Sequence, residues 1–285
     1  MPKVSVILPN YNHAAYLPER LESVLGQDFR DFEVIILDDH SSDNSLKILQ
    51  KYASDKRITH LLENDTNSGS TFIQWEKGLR LAQGEYIWIA ESDDIAAPTF
   101  LSEALSVLEN DKNTGVVFTS SVWIDEKSLE IHRPDHETGN RGWSGAQLLQ
   151  DEFLQGPLIY NASSAVFRKN LTEIVDFGAL RTFRYTGDWL FWVQVAAGTQ
   201  VVRLDKRLNF FRRHDGNVSF KSEREGLLFT EGFRIIRYIY DHYPVSFLTR
   251  RETALRWARK LPKGAVPPGL PAEVRFYHRL FQIFK

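Results

Sequence analysis

Three acidic residues, Glu91, Asp93 and Asp94, crowd one short stretch directly after the apolar run 86–90. Carboxylates packed together repel one another unless a cation compensates them. A hard divalent cation such as Mg2+ takes one or two carboxylates and completes its shell with phosphate oxygens. The apolar run reads as a buried strand, and in open α/β sheets ligands gather just beyond the carboxyl ends of strands. The chemistry on offer is a metal–diphosphate site. For this segment by itself, a solvated acidic loop is the alternative.

A second acidic turn weighs against that alternative. The apolar run Phe32-Glu-Val-Ile-Ile-Leu37 ends in Asp38, Asp39 and, beyond them, Asp43. Asp43 suits a helix cap, but capping does not account for Asp38 and Asp39 at a strand end. The first apolar run, Val4-Ser-Val-Ile-Leu8, likewise ends in polar punctuation, Pro9-Asn-Tyr-Asn12. Three strands thus deliver polar or acidic turns to one edge of an expected parallel sheet.

The elements between them have helical spacing. Leu17, Leu21, Val24 and Leu25 make one apolar face; Leu46, Ile48, Leu49 and Tyr52 make another; Phe72, Trp75 and Leu79 a third. Pro98 is placed to start a helix carrying Phe100, Leu101, Leu105 and Leu108. Val116-Val-Phe118 and Leu208-Asn-Phe-Phe211 read as strands, and Leu190-Phe-Trp-Val-Gln-Val195 as a buried helix. The alternation predicts a mainly parallel sheet covered on both faces. The Gly-x-Gly-x-x-Gly turn of dinucleotide enzymes is missing, which counts against a dehydrogenase.

With these pieces in order, the chain resembles a family 2 glycosyltransferase of the GT-A fold. The resemblance rests on Val4-Ser-Val-Ile-Leu-Pro-Asn-Tyr-Asn12, Glu33-Val-Ile-Ile-Leu-Asp-Asp-His-Ser-Ser-Asp43, Asn67-Ser-Gly69 and Leu81-Ala-Gln-Gly-Glu-Tyr-Ile-Trp-Ile-Ala-Glu-Ser-Asp-Asp94. Thr186-Gly-Asp-Trp189 and Phe211-Arg-Arg-His-Asp-Gly-Asn-Val-Ser219 follow downstream. Each piece is weak; the ordered set over roughly residues 3–220 is specific.

The resemblance implies an inverting enzyme that uses a nucleotide-diphospho-sugar, with UDP-sugar the favoured donor, and Mn2+ or Mg2+ as cofactor. It makes Asp93 the foremost metal ligand, in the last acidic position of the family's Asp-x-Asp motif. Glu91 replaces the first Asp, reaching the metal directly, through water, or contacting the donor instead. Ser92, between them, falls on the donor side. Asp94 orients the site or caps the next turn. Pro9, Tyr11 and Asn12 line the base pocket, with Tyr11 able to stack on the base. Asp39 accepts a hydrogen bond from the uracil imide, Asp38 holds the loop, and Asn67 and Gly69 form the next donor turn. An Arg common after that turn is missing here; Gln74 and Lys77 are the stand-ins, and Trp75 is core. Asp188 matches the catalytic base, at the start of the buried helix. As a helix cap its pKa would instead be lowered. His214 is a third metal ligand, with Arg212 and Arg213 set to bind phosphate oxygens. The other histidines, His13 among them, have no comparable context. The acceptor is expected to be a glycan or lipid-linked glycan in surface polysaccharide synthesis. Its region is expected within residues 120–185, where Trp123, Trp143 and Tyr160 either stack on sugars or join the core.

Composition bounds the alternatives. The 285 residues carry no cysteine, so disulfides and thiolate metal sites are excluded. The sequence enters its first strand without a signal-peptide pattern, and no apolar run approaches the roughly 18 residues of a membrane span. A cytoplasmic enzyme without nucleic-acid partners is expected. The expected organisation is a GT-A domain over residues 1–220, its nucleotide-sugar half at 1–97 and its acceptor half at 98–220, then a basic helical extension at 221–285. From Phe233 onward there are 11 Lys/Arg against 3 Asp/Glu, whereas the whole chain is −2. After the Pro/Gly-rich stretch 261–271, Arg275, Arg279 and Lys285 alternate with Phe276, Tyr277, Phe281 and Phe284. Such a segment either packs on the body or holds an anionic membrane surface at the inner face. A nucleotidyltransferase and a non-catalytic nucleotide- or glycan-binding module remain the competing classes.

Overall fold

The computed structural model describes residues 1–132, 139–214, 227–261 and 271–283. Residues 215–219 of the downstream motif, the Pro/Gly-rich stretch 262–270, and Phe284 and Lys285 lie outside the described residues.

Strand β1 (Val4–Asn10) leads through α1 (Leu17–Leu25) to β2 (Phe32–Asp38), and α2 (Ser45–Tyr52) leads on to β3 (Ile58–Glu63). Helix α3 (Thr71–Leu81) precedes β4 (Tyr86–Ile89), and the short β5 (Ile95–Ala96) precedes α4 (Phe100–Asn110). The second half holds β6 (Thr114–Ile124), β7 (Glu130–His132), β8 (Arg141–Ser144) and β9 (Ala165–Arg168), then α5 (Gly187–Ala196) and β10 (Gln200–Arg212). Three helices follow: α6 (Leu227–His242), α7 (Phe247–Lys260) and α8 (Ala272–Ile283).

The strands form one sheet in the order β3-β2-β1-β4-β9-β6-β10-β5. Strands β1 to β4 are mutually parallel, β9 runs antiparallel to both β4 and β6, and β10 returns parallel to β6. The mixed α/β architecture with a largely parallel sheet is as expected. What periodicity did not indicate is the inserted β9, nor the full length of β10. Beyond the anticipated 208–211, β10 extends back to Gln200 through the charged residues Arg203, Asp205, Lys206 and Arg207, with Val201 and Leu204 buried in the two opposite cores. Register irregularities against β6 break the regular alternation further.

Side-chain alternation sorts the sheet residues into two cores. Val4, Val6 and Leu8 of β1 join Val34, Ile36, Tyr86 and Trp88 against α1 and α4. Ile7, Ile35, Leu37, Ile87 and Ile89 face the other way, against α3, α5 and the three last helices. This is the period of 2 that strands impose. Helix α5 is buried on nearly every side, consistent with an apolar sequence all round its axis. Its Phe191 meets Trp75 of α3 edge-to-face at 5.2 Å, and Phe167 of β9 at 5.6 Å. Truncating a buried ring of this kind to alanine costs about 3–5 kcal/mol, a large share of the ~5–15 kcal/mol net stability of a domain. These contacts hold the first half of α5 against α3 and β9.

Two local expectations shift by a residue or two. Pro98 lies outside α4, which starts at Phe100 after Thr99; the Pro98 carbonyl accepts the Asp28 N–H instead. Asp43 is not the N-cap of α2, which is Asn44; its carboxylate accepts from Ser45 N at 2.8 Å and Ala14 N at 2.9 Å, tying two loops together.

Candidate active site

Strand β1 has β2 on one side and β4 on the other. The connections on either side of β1 diverge, leaving a crevice at its carboxyl end, where open α/β sheets bind ligands. Residues 10–13 and 91–94 reach this crevice because they directly follow β1 and β4. Strand β10 brings a third loop, since Arg212 is its last residue and His214 follows.

At this junction His13, Asp93 and His214 offer ligand atoms that all lie within 4.8 Å of one another. His214 Nε2 is 3.0 Å from Asp93 Oδ2, and His13 Nδ1 is 2.8 Å from Ser92 Oγ. The two imidazole rings meet at 90° with centroids 5.5 Å apart. Burial alone would push the Asp93 carboxyl up; the hydrogen bond to His214, with His13 adding its field, outweighs this and holds it below its ordinary value. One carboxylate and two imidazoles fit a divalent transition cation. They suit Mn2+ better than Mg2+, which prefers oxygen ligands. The structure brings Asp93 and His214 together and adds His13, which sequence reasoning passed over. Its signal was position: it comes just after the polar end of β1, the strand beside β4.

Glu91 stands outside that trio. Its Oε1 accepts the Trp75 indole N–H at 2.9 Å, and burial, then the neighbouring Asp93, push its carboxyl up to about 8. Trp75 is core as expected, and it also anchors Glu91. Asp94 accepts from Arg212 N at 3.0 Å and Asn161 Nδ2 at 2.9 Å, which fastens the end of β10 to the acidic loop. Burial and Asp93 raise its pKa to about 6. Arg212 is fully buried. Its guanidinium donates to Asp93 O at 2.7 Å, Asp125 O at 2.8 Å, Ser128 Oγ at 3.0 Å and Glu19 Oε2 at 2.6 Å, and covers the Tyr16 ring. It braces the Asp93 loop from behind, with its donors spent on protein acceptors. Arg213 lies over the Trp123 ring.

The loops after β1, β2 and β3 build a polar wall. Asp38 accepts from Asn10 Nδ2 at 2.6 Å, Ser41 N at 2.9 Å and Ser41 Oγ at 2.7 Å, the loop-holding role expected of it. Asn12 Oδ1 accepts from Ser42 N at 2.8 Å. Asp39 is buried and accepts from Asn64 Nδ2 at 2.6 Å, Ser68 N at 2.9 Å, Ser68 Oγ at 2.8 Å and Gln74 Nε2 at 2.8 Å, with Asn67 Nδ2 at 3.3 Å. Gln74 therefore supports Asp39, and Lys77 donates to Asn64 Oδ1 at 2.7 Å. Gly69 N closes the turn on Asn67 Oδ1 at 2.8 Å. Pro9 is buried within β1, and Tyr11 beyond it is 46% exposed.

Asp188 opens the second half of the site in the first turn of α5. Thr186 is the N-cap, so Asp188 does not cap the helix; its Oδ1 accepts the Trp189 N–H at 2.8 Å. Its residue is half-buried, leaving it reachable from solvent. Burial dominates its protonation and pushes the carboxyl up to about 7, the Trp189 hydrogen bond opposing and the Glu231 charge assisting. A glycine must precede it: a Cβ on Gly187 would lie 2.5 Å from Cε2 of Phe72 in α3. Of the aromatic residues in 120–185, Trp143 is core, Trp123 is partly buried in β6, and Tyr160 is exposed beside Phe211.

A model of glycosyl transferase family 2 matches residues 5–175. The chain belongs to this family. Among relatives of the family 2 chain, the GalNAc(5)-diNAcBac-PP-undecaprenol beta-1,3-glucosyltransferase of Campylobacter jejuni is 31% identical over 175 residues, 61% of this chain and 54% of that protein. The match thus spans about half the length of that relative. Among solved structures, S. aureus TarS 1-349 in complex with UDP superposes with a TM-score of 0.63 at 21% identity, covering 90% of this chain and 70% of that one. The mannosyltransferase PcManGT of Pyrobaculum calidifontis, in complex with GDP-Man and Mn2+, superposes with a TM-score of 0.57 at 19% identity, covering all of this chain and 81% of that one. At these identities the superpositions establish the GT-A fold. Among the described residues no helix is long and apolar enough to cross a membrane.

Proposed function

We propose that this family 2 glycosyltransferase is metal-dependent and inverting. It moves a hexosyl group from a nucleotide-diphospho-sugar, UDP-sugar first, to a hydroxyl of a glycan or lipid-linked glycan in surface polysaccharide synthesis. The observation that carries the reading is a carboxylate–imidazole trio and a separate carboxyl of raised pKa, Asp188, on one enzyme of this family. Support for the donor comes from the UDP held by TarS, and for the acceptor class from the undecaprenol-linked substrate named for the C. jejuni relative.

Asp93, His214 and His13 would hold Mn2+ or Mg2+; when bound, the ion neutralises charge on the leaving diphosphate. Trp75 keeps Glu91 beside this group, on the donor side. The exposed Tyr11 stacks on the base, with Pro9 beneath it and Asn12, Asp38, Asn67 and Gly69 fixing the surrounding turns. Asp39 accepts the imide N–H when the Ser68 hydroxyl rotates off its Oδ2. Ser92 orients His13, and Arg212 stiffens the loop behind Asp93. Asp188 removes the proton from the acceptor hydroxyl as that oxygen attacks the anomeric carbon. The new carbon–oxygen bond forms as the bond to the diphosphate breaks, in a single displacement that inverts the centre.

Incubation with a panel of nucleotide sugars and oligosaccharide acceptors, with and without Mn2+, tests this. The expected products are free nucleoside diphosphate and a glycoside of inverted configuration. Pyrophosphate release would point to nucleotidyl transfer instead, and binding without any product to a non-catalytic module.

Peripheral membrane contact belongs to the same reading. Phe247 and Leu248 are exposed at the start of the basic helix α7 and Phe276 is exposed along α8, near Arg251 and Arg279 in sequence. Val274 and His278 of α8 pack inward, so deleting the segment would damage the core. Substituting Phe276→Ser with Arg279→Gln is the cleaner test. Each basic residue near an anionic surface contributes about 1 kcal/mol, screened by salt. The protein should sediment with phosphatidylglycerol vesicles at low salt and the variant should do so several-fold less. Absence of vesicle binding by the unaltered protein would rule the contact out.

A further inference from the structure

We propose that Glu231 is a positioning residue for glycosyl transfer. Its carboxylate, supplied by α6 from beyond the matched family region, shapes the 184–186 loop that presents Asp188. The inference rests on the reading of Asp188 as the base.

Glu231 is only 8% exposed. Its Oε1 accepts Arg184 N at 2.8 Å, and its Oε2 accepts Tyr185 N at 3.0 Å, Thr186 N at 2.9 Å and the Thr186 hydroxyl at 3.1 Å. Successive backbone N–H groups converging on one anion form a nest, and hydrogen bonds to an ionised acceptor are the strong kind. A buried charge is costly unless it is paired, so these N–H groups and the carboxylate depend on each other. The nest also determines how α5 begins. Thr186 occupies the N-cap, yet its hydroxyl donates to Glu231 and makes no capping bond. The loop is thereby held by a distant helix, two residues before Asp188.

Packing enforces the same alignment. A Cβ on Gly232 would come within 3.0 Å of the Trp189 ring, so α6 lies directly against the first turn of α5. Trp189 in turn stacks on Trp257 of α7 at 6.2 Å. Glu231 is also the charged group whose field reaches Asp188, and its negative sign opposes ionisation of the base.

Glu231→Gln keeps the size and removes the charge. Turnover should fall roughly tenfold to hundredfold, the loss expected of a misaligned base, while donor affinity measured by calorimetry stays within about twofold. Removing the negative neighbour lowers the pKa of Asp188, so the acid limb of the turnover profile should move to lower pH. In an Asp188→Asn background the same substitution should cost nothing further, because Glu231 acts through Asp188. Turnover lost only in proportion to unfolded protein, with the acid limb unmoved, would overturn the proposal. If Glu231→Gln fails to fold, Thr186→Val removes only the hydroxyl arm and should lower turnover several-fold; unchanged turnover there overturns it equally. Should Asp188→Asn itself retain turnover, the base assignment fails first; full turnover in Glu231→Gln beside an inactive Asp188→Asn defeats the Glu231 role alone.

Discussion

Asp188→Asn should abolish transfer and leave the donor bound. A positioned general base contributes about 10²–10⁴ in rate, and the amide cannot take the acceptor proton. The donor, whose proposed contacts lie in the loops after β1, β2, β3 and β4, should bind with nearly unchanged affinity. As the proposed base, Asp188 would act in its ionised form. With the carboxyl raised to about 7 by burial, turnover should fall tenfold for each pH unit below that value. The same shift has a stability consequence. A carboxyl whose folded pKa lies above its unfolded value binds more protons in the folded state between the two, so stability falls as pH rises from about 4 towards 7. Asp188→Asn removes that penalty, and its melting temperature at pH 8 should equal or exceed that of the unaltered protein. Single-turnover assays, calorimetry and thermal melts check each point. A large loss of donor affinity, or a sharp fall in melting temperature, would make Asp188 a structural residue.

Asp93→Asn should collapse both metal-dependent donor binding and turnover. It keeps the side-chain shape near His214 but removes the only carboxylate of the described trio. Disturbing a partner outside a metal's coordination shell already costs 10–100-fold in affinity or activity, so loss of the anionic ligand should exceed roughly a hundredfold. Mn2+ binding followed by electron paramagnetic resonance reads the metal directly, apart from catalysis. His13→Ala should also weaken Mn2+ binding, a result that distinguishes the observed trio from an Asp93–His214 pair with Glu91. Near-normal Mn2+ affinity and turnover in folded Asp93→Asn would defeat the metal assignment.

Particular residues show where sequence reading reached and where it stopped. The strand ends at Pro9–Asn12, Asp38–Asp39 and Glu91–Asp94 were legible because a buried run followed at once by carboxylates or amides is a local pattern. Asp188, in Thr186-Gly-Asp-Trp189, and His214, after the strand-like 208–211, were singled out by the family resemblance rather than by a local pattern. The ordered motifs around them identify the family without any tertiary information. Continuous apolar runs likewise assigned β1, β2 and β4, and helical spacing the helices between them, because both are written into consecutive residues.

Tertiary structure decided which of these ends meet. His13 joins Asp93 and His214 because β1 lies beside β4 and β10 ends at the same edge, an outcome of strand order that no local pattern encodes. Glu91 turns to the Trp75 indole, Arg212 to carbonyls of two loops, and Asp39 to Asn64, Ser68 and Gln74. Buried polar groups must find partners, and theirs come from segments distant in the chain. Glu231 is the extreme case: alone it is one acidic residue on an amphipathic helix, and only the packing of Gly232 on Trp189 carries it to the loop before Asp188. Local patterns determine where polar groups leave the core; long-range packing and the need to satisfy each buried donor and acceptor determine what they do there.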